Sequence, residues 1–340
     1  MTSRFITANL NWYKSRDERP MKKFLALSLS ALLASFTLVT ASCLASGLQE
    51  NIDAIVKDKP AQIGVVIEGF DPHQHAGFNE NTRFPMQSVF KFPVALAVLD
   101  QVDKGKINLD ETRLLKPSDL LPNTHSPLRE KYPEANAAVS IREIINETVS
   151  NSDNNGCDIL LRLVGGPQAV DQYIKNLGIA DMQIAVTEQE MHASKDAQHK
   201  NWTTPGAMTQ LLRLFHDGKL LKHDSQEFLW TAMRDSVTAP GRLRSPLPAG
   251  TQLIHKTGTS NYSPKDGSTV NDVGIILLPD GNPVFVSVLI TGSKMSMMDT
   301  EKIIASVSGV AWDHFSPEKP GLSIRKTGKQ LRELIGFENQ

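Results

Sequence analysis

Cysteine is nearly absent: the 340-residue chain holds two, Cys43 and Cys157. Cys43 lies in an N-terminal apolar stretch that we expect to be removed, leaving Cys157 alone and excluding a disulfide framework. An excess of charge is also missing, with 36 basic against 37 acidic side chains and a net charge of -1. That balance excludes the basic face of a nucleic-acid binder and gives no electrostatic case for a membrane-surface partner. No apolar run reaches the ~20 residues that span a bilayer. There is no internal repeat and no His-Glu-x-x-His. The isolated pair His73 and His75 has no third ligand at suitable spacing, so it is expected to be solvated, and neither a metal nor a cofactor is expected. What is present is ordinary globular composition, 40% hydrophobic and 21% charged, enough for one or two domains.

The N-terminus is ordered as an export signal. Met21-Lys22-Lys23 is a basic start, Phe24 to Val39 an apolar centre, and Val39-Thr40-Ala41 a small-residue cleavage site. The reading is a secretory signal peptide with a physiological start at Met21 and a periplasmic destination. A lipid anchor at Cys43 is the weaker alternative, because no leucine stands three residues before it.

Beyond the signal, "AQIGVVIEGF" reads as a strand, ended by the turn-rich "DPHQHAGFNEN". Helical spacing dominates from about Ser88 to Arg234, with several segments closed by glycine. Strand patterns return at "TQLIHKTG", "VGIILLPDG" and "PVFVSVLITG". The last two make a hairpin about Pro-Asp-Gly-Asn, and "DTEKIIASVSGVAWDHF" is a final amphipathic helix. The expected class is α/β. An antiparallel sheet is built from both chain ends with flanking helices, and an all-helical domain is inserted between them. The boundaries are 1–45 for the upstream segment and signal, 46–84 with 236–315 for the sheet domain, 85–235 for the helical domain and 316–340 for a polar tail. A monomer is expected.

In "PMQSVFKFPVALAVLDQV", Ser88 and Lys91 stand three apart at the head of an otherwise apolar helix. Residues i and i+3 share a helix face, so the lysine can serve the hydroxyl as a base, and the free N–H groups of a helix start favour a developing oxyanion. Alone the pattern is weak. Ser316/Lys319 and Ser323/Lys326 repeat it in the tail, where Pro317 and Gly321 disfavour a catalytic turn. Lys-Thr-Gly also occurs twice. Lys256-Thr257-Gly258 follows a strand, where a lysine can be held rigidly, whereas Lys326-Thr327-Gly328 lies in a basic run. Ser152-Asp153-Asn154 lies between two helical patterns and by itself reads as a capping loop.

Taken in order, Ser-x-x-Lys, Ser-Asp-Asn and Lys-Thr-Gly resemble the class A serine β-lactamases over about residues 48–315. Glu188, in "VTEQEMHASKDAQHKNWTTP", matches that family's loop glutamate, with Glu190 a competitor. His192 replaces the asparagine that usually follows four residues on, a change shared with the extended-spectrum, cephalosporinase-leaning branch. The resemblance implies hydrolysis of penicillins and cephalosporins through a serine ester, and hence antibiotic resistance. Ser88 would be the nucleophile, with Lys91 or Glu188 as acylation base and Ser152 as proton donor to the lactam nitrogen. Glu188 would activate the deacylating water. The backbone N–H groups of Ser88 and Thr259 would form the oxyanion hole. Asn154 would bind the substrate amide, Lys256 and Thr257 the substrate carboxylate. Arg242 would supply the nearby guanidinium, since the strand "STVNDVGII" has none, with Arg244 a structural competitor. His125 would wall the site. A D,D-peptidase or a β-lactam receptor that acylates without turnover are the rival readings, and Glu188 argues against both.

Overall fold

The computed structural model describes residues 47–317, Lys195 excepted. The signal segment, Cys43 and the tail from 318 onward lie outside the described residues. After helix α1 (47–56) come β1 (Gln62–Glu68), β2 (His75–Phe78) and β3 (Phe84–Pro85). The middle of the chain carries α2 (Lys91–Asp103), β4 (Thr112–Leu114), α3 (Pro127–Lys131), β5 (Ala138–Ser140), α4 (Ile141–Ser150), α5 (Asn154–Val164) and α6 (Pro167–Asn176). There follow β6 (Met182–Gln183), α7 (Glu188–Ala193), β7 (Trp202–Thr203), α8 (Pro205–His216) and α9 (His223–Arg234). The chain closes with β8 (Leu253–Thr259), β9 (Ser268–Leu277), β10 (Pro283–Ser293) and α10 (Met297–Phe315).

Five strands form one antiparallel sheet in the order β2-β1-β10-β9-β8, so the first strands of the chain pair with the last. This is the sheet expected from both chain ends. Its strands read as near-continuous apolar runs because both faces are covered. Strand alternation divides the side chains between two cores. Val284, Val286, Val288 and Ile290 pack with Ile52 of α1 and Ile303, Ile304 and Val307 of α10. Phe285 and Leu289, one residue out of step, pack with the helical block, including Leu96 of α2, Leu160 of α5 and Phe215 of α8. The short ribbons β3-β7-β6 and β4-β5 had no signal in the sequence, since two- and three-residue strands show no periodicity.

Regular α-helix begins later than Ser88. Residues Gln87–Phe90 form a 3₁₀ turn, and α2 starts at Lys91. Pro93 is therefore the third residue of the helix, where no intrahelical bond to its nitrogen is needed, and it causes no break. Positions 92–99 of α2 are all buried, which anchors the turn carrying Ser88 in the core.

One histidine departs from expectation. His75 is half-buried, with Nε2 2.8 Å from Glu80 Oε2 and Nδ1 3.6 Å from Glu68 Oε2. Glu68 also pairs with Arg213 of α8. His75 is thus a clamp between two carboxylates rather than a solvated loop residue.

Candidate active site

β8 is an edge strand, and its free edge faces the 3₁₀ turn. The approach is close because residue 258 is glycine. A Cβ there would stand 2.5 Å from Met86 O and 3.1 Å from Ser88 N. Ser260 N–H donates to Thr269 O across the ladder, so by antiparallel alternation the N–H of Thr259 points to the free edge. Asn271 of β9 ties the two pieces together. Its amide donates to Pro85 O at 2.8 Å and to Met86 O at 3.0 Å, while its Oδ1 accepts from Ile290 N–H. Gln87, just before the nucleophile candidate, is held at φ 48°, a left-handed conformation that a non-glycine residue adopts at a cost.

Lys91 is the hub. It is fully buried, and its Nζ donates to Ser88 Oγ (2.9 Å), Ser152 O (2.9 Å) and Asn154 Oδ1. Ser152 Oγ lies at 3.4 Å and Glu188 Oε1 at 2.8 Å. The Glu188 contact is an ion pair out of line for a hydrogen bond, which leaves the buried Oε1 with no aligned donor among the described residues. Two of the sequence motifs and the loop glutamate therefore meet at one amine, and Lys256 of the third joins them through the Ser152 hydroxyl.

Each partner has its own support. Ser152 sits at φ 60° between α4 and α5, which turns its carbonyl to Lys91 and its hydroxyl to Lys256 Nζ at 3.0 Å. Asp153 is indeed a helix cap. It accepts from Gly156 N–H at the start of α5 and also holds Ser126 Oγ and Leu128 N–H. Asn154 donates to Thr124 Oγ1 at 2.6 Å, and its backbone N–H donates to His125 O. His125 is exposed at the rim, its Nε2 2.8 Å from Asn151 O.

Glu188 opens α7. Thr187 caps that helix and Glu190 closes the reciprocal capping box, so Glu190 is a capping residue at the surface. Two residues that sequence reasoning missed hold Glu188 in place. Asp158, one turn beyond Asn154 on α5, accepts from Glu188 N–H (2.8 Å) and Gln189 N–H (2.9 Å). Asn201, fully buried, accepts from Ala185 and Val186 N–H and donates to Val186 O. Burial pushes the Asp158 carboxyl up to about 6, against the two N–H groups that favour its ionised form. A cavity of about 40 Å³ lies beside Glu188, lined also by Thr124, Asn154, Asp158 and His192, large enough for one water.

On the sheet side, Lys256 is wholly buried, and that burial, with the Lys91 charge next, pushes its ammonium well below the usual lysine range. Thr257 Oγ1 lies 2.8 Å from Thr238 Oγ1. Arg242 comes from the loop before β8. Its guanidinium is buried at 2% exposure and donates to Gly258 O, Asn271 O and Thr259 Oγ1 (2.7 Å), with Glu301 Oε1 on its Nε. It reaches the cleft through the Thr259 hydroxyl. Arg244 instead binds the carbonyls of Thr251 and Leu253, away from the Ser88 cluster.

A family model described as "Beta-lactamase enzyme family" matches residues 47–315. The chain is 39% identical to β-lactamase VEB-1 of Pseudomonas aeruginosa, covering 87% of this chain and 98% of that one. It is 38% identical to the extended-spectrum β-lactamase PER-1 of the same organism, covering 85% and 94%. Among solved structures, the TLA-3 extended-spectrum β-lactamase superposes with a TM-score of 0.78 at 43% identity, covering 80% of this chain and all of that one.

Proposed function

The chain belongs to the β-lactamase enzyme family, as a class A serine enzyme that hydrolyses the β-lactam ring and so gives antibiotic resistance, and from that premise we propose how its residues divide the work. Ser88 attacks the lactam carbonyl. Lys91, 2.9 Å from its hydroxyl, is in direct reach of the proton, and Glu188 reaches it through a water. The backbone N–H groups of Ser88 and Thr259, brought together by Gly258, receive the oxyanion. Ser152, between Lys91 and Lys256, passes a proton to the departing nitrogen. In deacylation the Glu188 carboxylate, beside a cavity large enough for one water, takes the proton of a water that attacks the ester.

Substrate binding follows from the walls of the cleft. Lys256, Thr257 and the Thr259 hydroxyl bind the substrate carboxylate, with Arg242 as a fixed charge behind Thr259. Asn154 binds the substrate amide, and His125 forms part of the rim. Penicillins and cephalosporins both carry these groups. The relatives called extended-spectrum support a broad cephalosporin range for this chain.

The observation that carries the reading is the meeting of Ser88, Ser152, Asn154 and Glu188 on Lys91. Excess chromogenic cephalosporin tests it. Sustained hydrolysis is expected, whereas a single stoichiometric burst would point to an acylated receptor.

The division into a sheet domain (46–84 and 236–315) and a helical domain (85–235) follows the placement of the strands at the two chain ends, while the core that holds Phe285, Leu289, Leu96 and Phe215 joins the two. Among the described residues no helix is long and apolar enough to cross a membrane. Export by the signal ending near Ala41, to the periplasm, fits the order of residues in 21–41.

A further inference from the structure

Asp272 of β9 is a fully buried carboxylate opposite Thr257 in the ladder, and none of the steps above uses it. Its Oδ1 lies 2.9 Å from Nδ1 of His255, itself buried and the residue just before Lys256. With Asp272 ionised, His255 donates from Nδ1. The other oxygen, Oδ2, accepts from Leu243 N–H at 3.2 Å. Leu243 follows Arg242 directly, so the carboxylate holds the backbone from which the guanidinium projects. The same stretch of β9 grips the far end of that side chain, since Asn271 O accepts from Arg242 Nη1 at 2.9 Å. One buried anion thus braces the Arg242 loop and, through His255, the segment of β8 that carries Lys256 and Thr257.

Its charge has the matching sign. Burial, joined by the Lys91 charge at Lys256, holds Arg242, Arg244 and Lys256 below their usual ranges, and the Asp272 charge opposes that lowering in all three, Glu301 being the second carboxylate on Arg242. The other ionisable groups facing Lys256 are Lys91 from α2, Glu188 from α7 and Cys157 from α5, and Asp272 approaches from the sheet. A buried carboxylate is costly without partners. Here its partners are the supports of the groups that face the substrate anion.

We propose that Asp272, braced by His255, is a positioning residue for recognition of the substrate carboxylate: it fixes the backbone that carries Arg242 behind Thr259 and, through His255, the segment of β8 that carries Lys256 and Thr257. The inference rests on the reading that Lys256, Thr257 and Thr259 receive that carboxylate.

The test compares a penicillin with its methyl ester, which keeps the lactam and loses the anionic group. The isosteric Asp272→Asn variant removes the charge and retains an acceptor for Leu243. For the free acid, KM is expected to rise about 10-fold, the scale of one charge-assisted hydrogen bond, with kcat within about 3-fold. For the ester, kcat/KM stays within about 2-fold of the wild-type enzyme on the same reasoning. Equal losses for acid and ester would overturn the proposal, as a purely structural role predicts, and so would no change in either. If Asp272→Asn does not fold, His255→Phe removes the donor to Asp272 and is expected to show the same split between acid and ester. Its absence there would be equally fatal. Arg242→Gln serves as the control. If it separates acid from ester while Asp272→Asn does not, the inference alone falls. If neither separates them, the carboxylate reading falls as well.

Discussion

Replacing Gly258 with alanine tests the geometry of the oxyanion hole with a single methyl group. The new Cβ would sit 2.5 Å from Met86 O, about 0.9 Å inside the 3.4 Å at which ordinary contact begins. Neither neighbour yields easily. Met86 O is backbone that accepts from Asn271, and the turn behind it is rooted in the buried start of α2. The strain is therefore expected to open the gap between β8 and the Ser88 turn by several tenths of an ångström. The N–H groups of Ser88 and Thr259 would no longer converge on one oxygen. Loss of one oxyanion donor costs ~10²–10³ in rate, and a displacement near 1 Å costs about 10². Stopped-flow hydrolysis of a chromogenic cephalosporin should accordingly show acylation slowed about 100-fold or more, in a protein whose circular dichroism is unchanged. A variant within 3-fold of wild type would show that Gly258 does not set the separation of the two donors, and that the oxyanion hole has been placed wrongly.

Further outcomes follow from other contacts. Asp158→Ala frees the N–H groups of Glu188 and Gln189, so deacylation is expected to slow about 10- to 100-fold and the acyl-enzyme to accumulate in the steady state. Lys256 is held below the ordinary lysine range by burial and by Lys91, and a lysine loses its charge as pH rises through its pKa. KM for carboxylate-bearing β-lactams should therefore climb on the alkaline side, measured from neutral pH upward, while kcat changes less. Glu68, with Glu80, holds the His75 imidazole above its usual range. Stability from a raised pKa is present at low pH and lost as pH rises through the folded value. His75→Gln should then lower Tm by about 1–3 °C in acid and leave it unchanged in alkali, followed by thermal melts at several pH values.

The parts of this site that sequence made visible are those whose chemistry is local. Ser88 and Lys91 are three apart, and Ser152 and Asn154 are two apart at the head of one helix. Lys256 follows the apolar run of a strand, which the structure continues through the motif to Thr259, so residue type and setting together were informative. Their supports were hidden for a physical reason. Asp158, Asn201 and Asn271 act on backbone N–H or C=O groups 15 to 186 residues away, and a backbone partner leaves no trace in side-chain patterns. Asp158 had one available signal, its place one turn after Asn154 on the face that carries the motif. Likewise, Gly258 was read as the tail of Lys-Thr-Gly, while its need for glycine comes from the turn across the cleft. In the fold, the long strands and helices followed their periodicity. At the head of α2 the apolar spacing does not distinguish the 3₁₀ path of Gln87–Phe90 from α-helix, but Pro93 requires the regular helix either to start later than Ser88 or to bend just past Lys91, and it starts later. His75 misled because its two carboxylate partners come from the end of β1 and the loop after β2.

The decisive measurement is the fate of Ser88 when Glu188 is removed. Glu188→Ala, mixed with a cephalosporin and analysed by intact-protein mass spectrometry, should retain the acyl group on Ser88 while turnover falls by ~10²–10⁴. Turnover at the wild-type rate with no trapped ester would contradict the assignment of Glu188 as the base that releases the acyl-enzyme.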